Sequence, residues 1–135
     1  MECELWPENI MALNKDNYIS AANRILNNPE NKYWAFLAVR NNDVIGVITI
    51  GDKISIYAEG HFGEILEFYI LPEYRSLGFG HKMIEHITVF GKNRGWPFIE
   101  VGAPKQPELS KTVEFYKQNN FKEIGPRLEL KLYRI

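Results

Sequence analysis

The chain has 135 residues and is 45% hydrophobic, enough for one compact core, since domains of about 150 residues bury roughly two-thirds of their unfolded surface. Sixteen Lys and Arg against seventeen Asp and Glu give a formal charge of −1 with no block of like charge, which argues against a nucleic-acid partner. The lone Cys3 excludes an intramolecular disulfide or Cys/His zinc spacing, and neither a leader-like start nor an apolar run of about 20 residues is present, so a cytoplasmic protein away from the membrane is expected.

Between residues 10 and 26, Tyr18, Ile19, Ala22, Ile25 and Leu26 recur at helical spacing until Asn27-Asn28-Pro29 stops them, which predicts an opening amphipathic helix. The aromatic and β-branched run over residues 33–39 turns at Asn41-Asn42-Asp43 into residues 44–50, a β-hairpin. Residues 52–62 are mixed, with Ile54, Ile56 and Ala58 extending a strand pattern toward Gly60. Residues 65–71 are apolar on both alternating faces except at Glu67, the pattern of a central strand, and Pro72 ends it. Past Gly80, the stripe Met83, Ile84, Ile87 and Phe90 predicts a helix closed near Gly91, followed by a strand over residues 98–101. Leu109, Val113 and Tyr116 share a third helical face, and two strands over residues 121–124 and 128–133 complete the chain. The order predicts a single-domain α/β (α+β) fold with a mixed central sheet flanked by helices.

The chemistry concentrates where the strand over residues 65–71 passes through Pro72-Glu73-Tyr74 into Arg75-Ser76-Leu77-Gly78-Phe79-Gly80 and directly into a helix. A glycine-punctuated helix start presents unpaired N–H groups to an anion such as a phosphate. Each exposed contact there contributes only about 0.3–1 kcal/mol, so several must act together. Arg75 has two open roles: a charge-assisted contact to phosphate, or a brace on backbone carbonyls. The pattern lacks the Gly-Lys-Ser/Thr of a P-loop and the third glycine of a dinucleotide fingerprint.

The whole stretch from Leu66 to Gly80 resembles motif A of the GNAT N-acetyltransferase family, a strand followed by Pro-Glu-x-Arg-x-x-Gly-x-Gly. Phe98 to Val101 and then Phe115-Tyr116-Lys117-Gln118-Asn119-Asn120-Phe121 resemble the family's next strand and its Phe-Tyr-x-x-x-Gly-Phe helix, so the likeness covers a little under half the chain. It implies a GNAT-like acyl-CoA N-acyltransferase fold and acetyl-CoA as co-substrate. It also implies a pyrophosphate on the amides of Arg75, Ser76, Leu77, Gly78, Phe79, Gly80 and His81, and backbone bonds to the pantetheine and acetyl group from Phe68, Tyr69 and Ile70. The sequence departs from the family pattern at Leu109, where asparagine is usual, and at Asn120 in place of glycine, although asparagine also tolerates a left-handed helix cap. Residues 1–6 leave little room for the family's first strand.

Acetyl transfer needs a neutral amine, and deprotonating a lysine-like ammonium at pH 7 costs about 4–5 kcal/mol, so a base is useful. Glu67 is the candidate, because a carboxylate inside an apolar strand is costly without a purpose or a partner. A pairing with lysine or arginine, or substrate binding alone, would account for it equally. Tyr116 resembles the family tyrosine that protonates the leaving thiolate or orients the thioester, though a core aromatic would occupy the same helix face. By resemblance, the backbone N–H of Ile70 would hold the oxyanion. Asp52, Glu59, Glu64 and Glu67 would favour a cationic acceptor if they faced one cleft. His61 is placed in a loop, His81 and His86 lie on different helix faces, and no metal site is expected. The expected partner is a small-molecule or peptide amine, and the resemblance adds a homodimer. Two rival readings are a non-catalytic CoA-binding module and an enzyme for another phosphate ligand such as a nucleotide.

Overall fold

The structure, a computed structural model, describes residues 15–102, 110–125 and 128–132. They belong to two compact units, Met1–Val101 and Gly102–Ile135.

In the first unit, helix α1 (Lys15–Leu26) carries Asp16 in its first turn and Arg24 in its last, charges that complement the helix dipole. Residues 10–14 of the predicted helix lie outside the described residues. The expected apolar stripe is only shallowly seated: Tyr18, Ile19 and Leu26 are 39%, 49% and 44% exposed. After a 3-10 turn (Pro29–Asn31), β1 (Tyr33–Arg40) and β2 (Asp43–Ser55) form the predicted hairpin. Asn41 and Asn42 both take positive φ (52° and 69°), the conformation that matches strand twist in a two-residue turn.

β2 runs on to Ser55, and β3 (Gly60–Ile70) starts five residues earlier than the apolar pattern suggested. The polar His61 and Glu64 hid this beginning, and both are satisfied within the unit, by Asp52 and Lys53 respectively. β4 (Ile99–Val101) lies parallel to β3, whereas β1, β2 and β3 are antiparallel neighbours, so the sheet is mixed, in the order β1-β2-β3-β4.

One irregularity in β3 governs the site. Ile50 faces Ile65 and Thr49 faces Glu67, leaving Leu66 as an extra, bulged residue. Directly opposed residues share a sheet face. Ile65 therefore lies on the Ile50 face and Phe68, opposite Ile48, lies on the same one. Glu67 sits on the other face with Thr49.

Helix α2 (Phe79–Asn93) covers the Ile48 face with Met83, Ile84 and Ile87. At Gly46 a Cβ would lie 3.1 Å from Tyr69 C=O and 3.3 Å from Ile70 Cγ1, so the tight fit there is against β3. Ile48, Ile50, Phe68 and Ile87 are completely buried there, each such side chain stabilising the fold by about 1.5–3 kcal/mol. Trp34 and Phe36 of β1 add edge contacts to Phe90, at 5.0 and 5.1 Å.

In the second unit, helix α3 (Ser110–Gln118) closes with Asn120 at φ 72°, as expected for a left-handed cap. Phe121 N–H bonds to Tyr116 C=O and Asn120 N–H to Lys117 C=O, each at 3.0 Å, which completes the cap. The two closing strands predicted from sequence are not strands over the described residues 121–125 and 128–132. Leu128, Leu130 and Leu132, whose alternation is strand-like in sequence, are 90%, 83% and 80% exposed.

Candidate active site

Among the described residues, β3 pairs with β4 from Gly63↔Ile99 to Ile65↔Val101, while its pairing with β2 continues to Ile70↔Gly46. Leu66 to Ile70 lie beyond these described pairs, and this stretch contains the predicted contact residues Phe68, Tyr69 and Ile70. Leu71 N–H then bonds to Ile45 C=O at 2.8 Å, and a 3-10 turn (Pro72–Tyr74) reverses the chain. Arg75 takes the second of its two expected roles: Nε donates to Ile70 C=O at 2.8 Å, and the guanidinium lies over the Tyr69 ring at 5.4 Å. The arginine ties the strand end to the loop.

Ser76 and Gly78 both adopt positive φ (63° and 89°) before α2 begins at Phe79. No side chain caps this helix, and its first internal bond is Lys82 N–H to Gly78 C=O at 3.2 Å. The amides of Phe79 and Gly80 precede that bond and are aimed out of the helix start. A Cβ built on Gly78 would meet no atom of the described residues within 4 Å, so there is room at that point of the turn. Donor amides, a favourable dipole and room at the turn fit an anionic group such as a diphosphate. Leu77 is 61% exposed, and the His81 imidazole turns along the helix to Glu85, Nε2 to Oε1 2.8 Å.

Glu67 finds hydroxyls, not the lysine or arginine that sequence reasoning considered. Its Oε1 accepts from Thr49 Oγ1 at 2.5 Å and from the Tyr33 hydroxyl, and its own N–H donates to Thr49 Oγ1 at 2.9 Å. Tyr33 and Thr49 are 3.2 Å apart, so β1, β2 and β3 contribute one residue each to a polar cluster on the face away from α2. Among the described residues, these bonds fall on Oε1 and none on Oε2.

The four carboxylates that would favour a cationic acceptor if they faced one cleft do not all face the same way. Asp52, opposite Gly63 and in phase with Ile50, faces α2. Glu64, opposite Gly51, and Glu67 face the other way, and Glu59 is exposed in the β2–β3 turn. The physical reason is strand alternation combined with the bulge at Leu66. Asp52 receives His61 Nδ1 at 2.5 Å, Trp96 Nε1 at 3.2 Å and Arg94 at 3.5 Å. Burial disfavours its charge, yet the His61, Trp96 and Arg94 interactions outweigh that and hold the carboxyl below its usual value. His61 is therefore a strand residue bound to Asp52, not a loop residue.

In the second unit, Tyr116 is buried and its ring meets Phe115 and Phe121 edge-on at 5.5 and 5.3 Å. Leu109 lies outside the described residues, as do Cys3 and the rest of residues 1–6. Among the described residues, no group of three or more His, Cys, Asp or Glu side chains could hold a metal ion, and no helix is long and apolar enough to cross a membrane.

The sequence model of the Acetyltransferase (GNAT) family matches residues 1–121. The chain belongs to the GNAT acetyltransferase family. Among solved structures, an integron cassette protein from the mobile metagenome of Cole Harbour Salt Marsh shares 21% identity at a TM-score of 0.77, over 92% of this chain and 75% of that one. A ribosomal-protein-alanine N-acetyltransferase from Brucella melitensis shares 17% identity at a TM-score of 0.72, over 91% and 85%. AAC(6')-Iy, in complex with the bisubstrate analogue CoA-S-monomethyl-acetylneamine, shares 18% identity at a TM-score of 0.74, over 98% and 86%. At these identities the likeness establishes the shared fold. No curated protein matches the sequence significantly.

Two residues of this GNAT chain's polar cluster, Tyr33 and Thr49, escaped sequence reasoning. Thr49 sits within an apolar strand, which is a visible signal, but its pairing with Glu67 depends on a register set by the bulge.

Proposed function

We propose that this GNAT protein is an acetyl-CoA-dependent N-acetyltransferase that acts on a primary amine of a small molecule or peptide, with direct transfer while both substrates are bound. The observation that carries the reading is the uncapped start of α2 at Gly78, which follows β3 after the Pro72–Tyr74 turn and where a Cβ would meet no atom of the described residues within 4 Å. On this proposal, the amides of the segment Arg75, Ser76, Leu77, Gly78, Phe79, Gly80 and His81 hold the diphosphate, and the β3 backbone at Phe68, Tyr69 and Ile70 guides the pantetheine arm. Acetyl-CoA supplies an activated thioester.

Glu67 accepts a proton from the incoming ammonium, so that the nitrogen lone pair can attack the acetyl carbon. The N–C bond forms, the C–S bond breaks, and the electron pair leaves on sulfur. Of the two protons the ammonium loses, one is balanced by the proton delivered to the thiolate and the other passes to solvent. Tyr116 is proposed as the donor to sulfur on the strength of the Phe115-Tyr116 match, and the Ile70 amide as the donor to the oxyanion.

Isothermal titration with acetyl-CoA and a thiol-release assay over aminoglycosides, polyamines and short peptides test binding and turnover separately. Saturable binding together with amine-dependent thiol release is the expected result. Binding with no release above background for any amine would make the chain a CoA-binding module. A rise in melting temperature with ATP and none with acetyl-CoA would overturn the acetyltransferase reading altogether.

A further inference from the structure

Resting on the reading of Glu67 as the proton acceptor, we infer that Tyr33 and Thr49 are positioning residues that assign separate tasks to the two oxygens of its carboxylate. Oε1 is held by protein hydroxyls, and Oε2 is left to meet the amine.

The hydrogen-bond inventory of the three groups leads to this division. A threonine hydroxyl has one proton and two acceptor sites. Thr49 Oγ1 accepts from Glu67 N–H at 2.9 Å, so its proton goes to Glu67 Oε1 at 2.5 Å. Tyr33 also has a single proton, and its nearer acceptor is the same Oε1, with Thr49 Oγ1 farther away at 3.2 Å. Both donors thus converge on one carboxylate oxygen.

Thr49 grips Glu67 at two points, backbone amide and side chain, at the bulge. The bulge leaves the neighbouring Leu66 without a partner on β2, and beside it the threonine hydroxyl supplies the Glu67 amide with an acceptor. Tyr33, from the neighbouring strand β1, adds a third fixed point. A glutamate has three rotatable side-chain bonds, and a general base must lie within hydrogen-bond reach of the proton it removes. A displacement of about 1 Å in a catalytic group can cost roughly 100-fold in rate. Three anchors on two strands oppose that displacement.

Thr49→Val keeps the strand preference and approximate volume but loses the hydroxyl, whereas Thr49→Ser keeps the hydroxyl. With wild-type protein and the best amine from the thiol-release panel, Thr49→Val and Tyr33→Phe are each expected to lower amine kcat/KM by about 10- to 100-fold, chiefly in kcat. The acetyl-CoA Kd, measured by titration, should stay within about threefold of wild type, because the hydroxyls act on the Glu67 side chain and the proposed coenzyme contacts are backbone amides. Thr49→Ser should restore most of the rate. In a Glu67→Gln background, adding Thr49→Val should cause no further loss, because the hydroxyl then has no base to aim. A crystal structure of Thr49→Val should show the Glu67 carboxylate turned from its wild-type direction.

The outcomes separate the two ideas. If Glu67→Gln is slow but Thr49→Val and Tyr33→Phe run at wild-type rate, the positioning role is refuted and the base stands. If Glu67→Gln itself runs at wild-type rate, the base is refuted and the positioning role falls with it. If the wild type releases no thiol with any amine, the acetyltransferase reading fails. The crystal structure then decides the positioning claim, which an unmoved carboxylate overturns.

Discussion

Replacing Gly78 with alanine tests the phosphate-binding turn, provided that the cost of the backbone conformation is measured separately. Gly78 sits at φ 89°, and Gly95, just beyond the other end of α2, sits at φ 78°. A Cβ meets no atom within 4 Å at either position, so alanine introduces no clash and both variants pay only for left-handed backbone. That cost is about 1–2 kcal/mol. For a chain of this size it corresponds to a fall in Tm of about 3–10 °C, interpolating the usual size scaling. The two melting curves should therefore fall by similar amounts. Ligand binding should not: α2 spans 15 residues, which separates the two glycines by about 22 Å along the helix. If Gly78→Ala shifts the turn enough to lose two amide contacts, at about 0.3–1 kcal/mol each, acetyl-CoA affinity falls roughly 3- to 30-fold. Gly95→Ala should bind as wild type does. Isothermal titration at fixed salt, with thermal melts of both variants, provides the comparison. Equal affinity in the two variants would refute the assignment of the diphosphate to this turn.

At Gly63 an added Cβ would lie 2.4 Å from Trp96 Cζ3, and the indole cannot retreat without loosening its 3.2 Å bond to Asp52, so Gly63→Ala should destabilise the fold by about 1–3 kcal/mol, seen as a lower denaturant midpoint. Asp52 is held below its ordinary value of 3.8, so its contribution is fully present above that pH and disappears as the pH falls through the depressed folded value. The Tm difference between wild type and Asp52→Asn should accordingly be largest above pH 3.8 and close below it. Tyr116→Phe should lower kcat by about 100-fold or more if the hydroxyl protonates the thiolate, while far-UV circular dichroism stays unchanged. An unaltered kcat would remove Tyr116 from the mechanism.

The parts of this fold that sequence made legible were those dictated by local chemistry. The Asn41-Asn42 turn, the Met83-Ile84-Ile87 stripe and the left-handed Asn120 are decided within a few residues, and each appears where the pattern placed it. The glycine-punctuated turn before α2 was equally readable, because positive φ and an open helix start are local properties. Partners that depend on register were not readable. Whether Glu67 would meet a lysine, an arginine or a pair of hydroxyls is fixed by which residue stands opposite it on β2, and one inserted residue changes that answer. The acidic cluster failed for the same reason: proximity in sequence does not determine the face of the sheet. The two expected closing strands rested on alternation alone, and alternation becomes a strand only where another strand accepts its hydrogen bonds.

The bulge at Leu66 connects these points. In an unbroken strand, Ile65 and Glu67 would share one face and Phe68 would take the other. The carboxylate would then press against α2 while a phenylalanine pointed away from the core, a placement that strands a charge among Ile48, Ile50 and Ile87. One extra residue lets Ile65 and Phe68 both face α2, where Phe68 is completely buried, and turns Glu67 toward Thr49 and Tyr33. Core packing and the direction of the candidate base thus follow from the same inserted leucine, so the pressure to bury Phe68 also holds Glu67 on the opposite face.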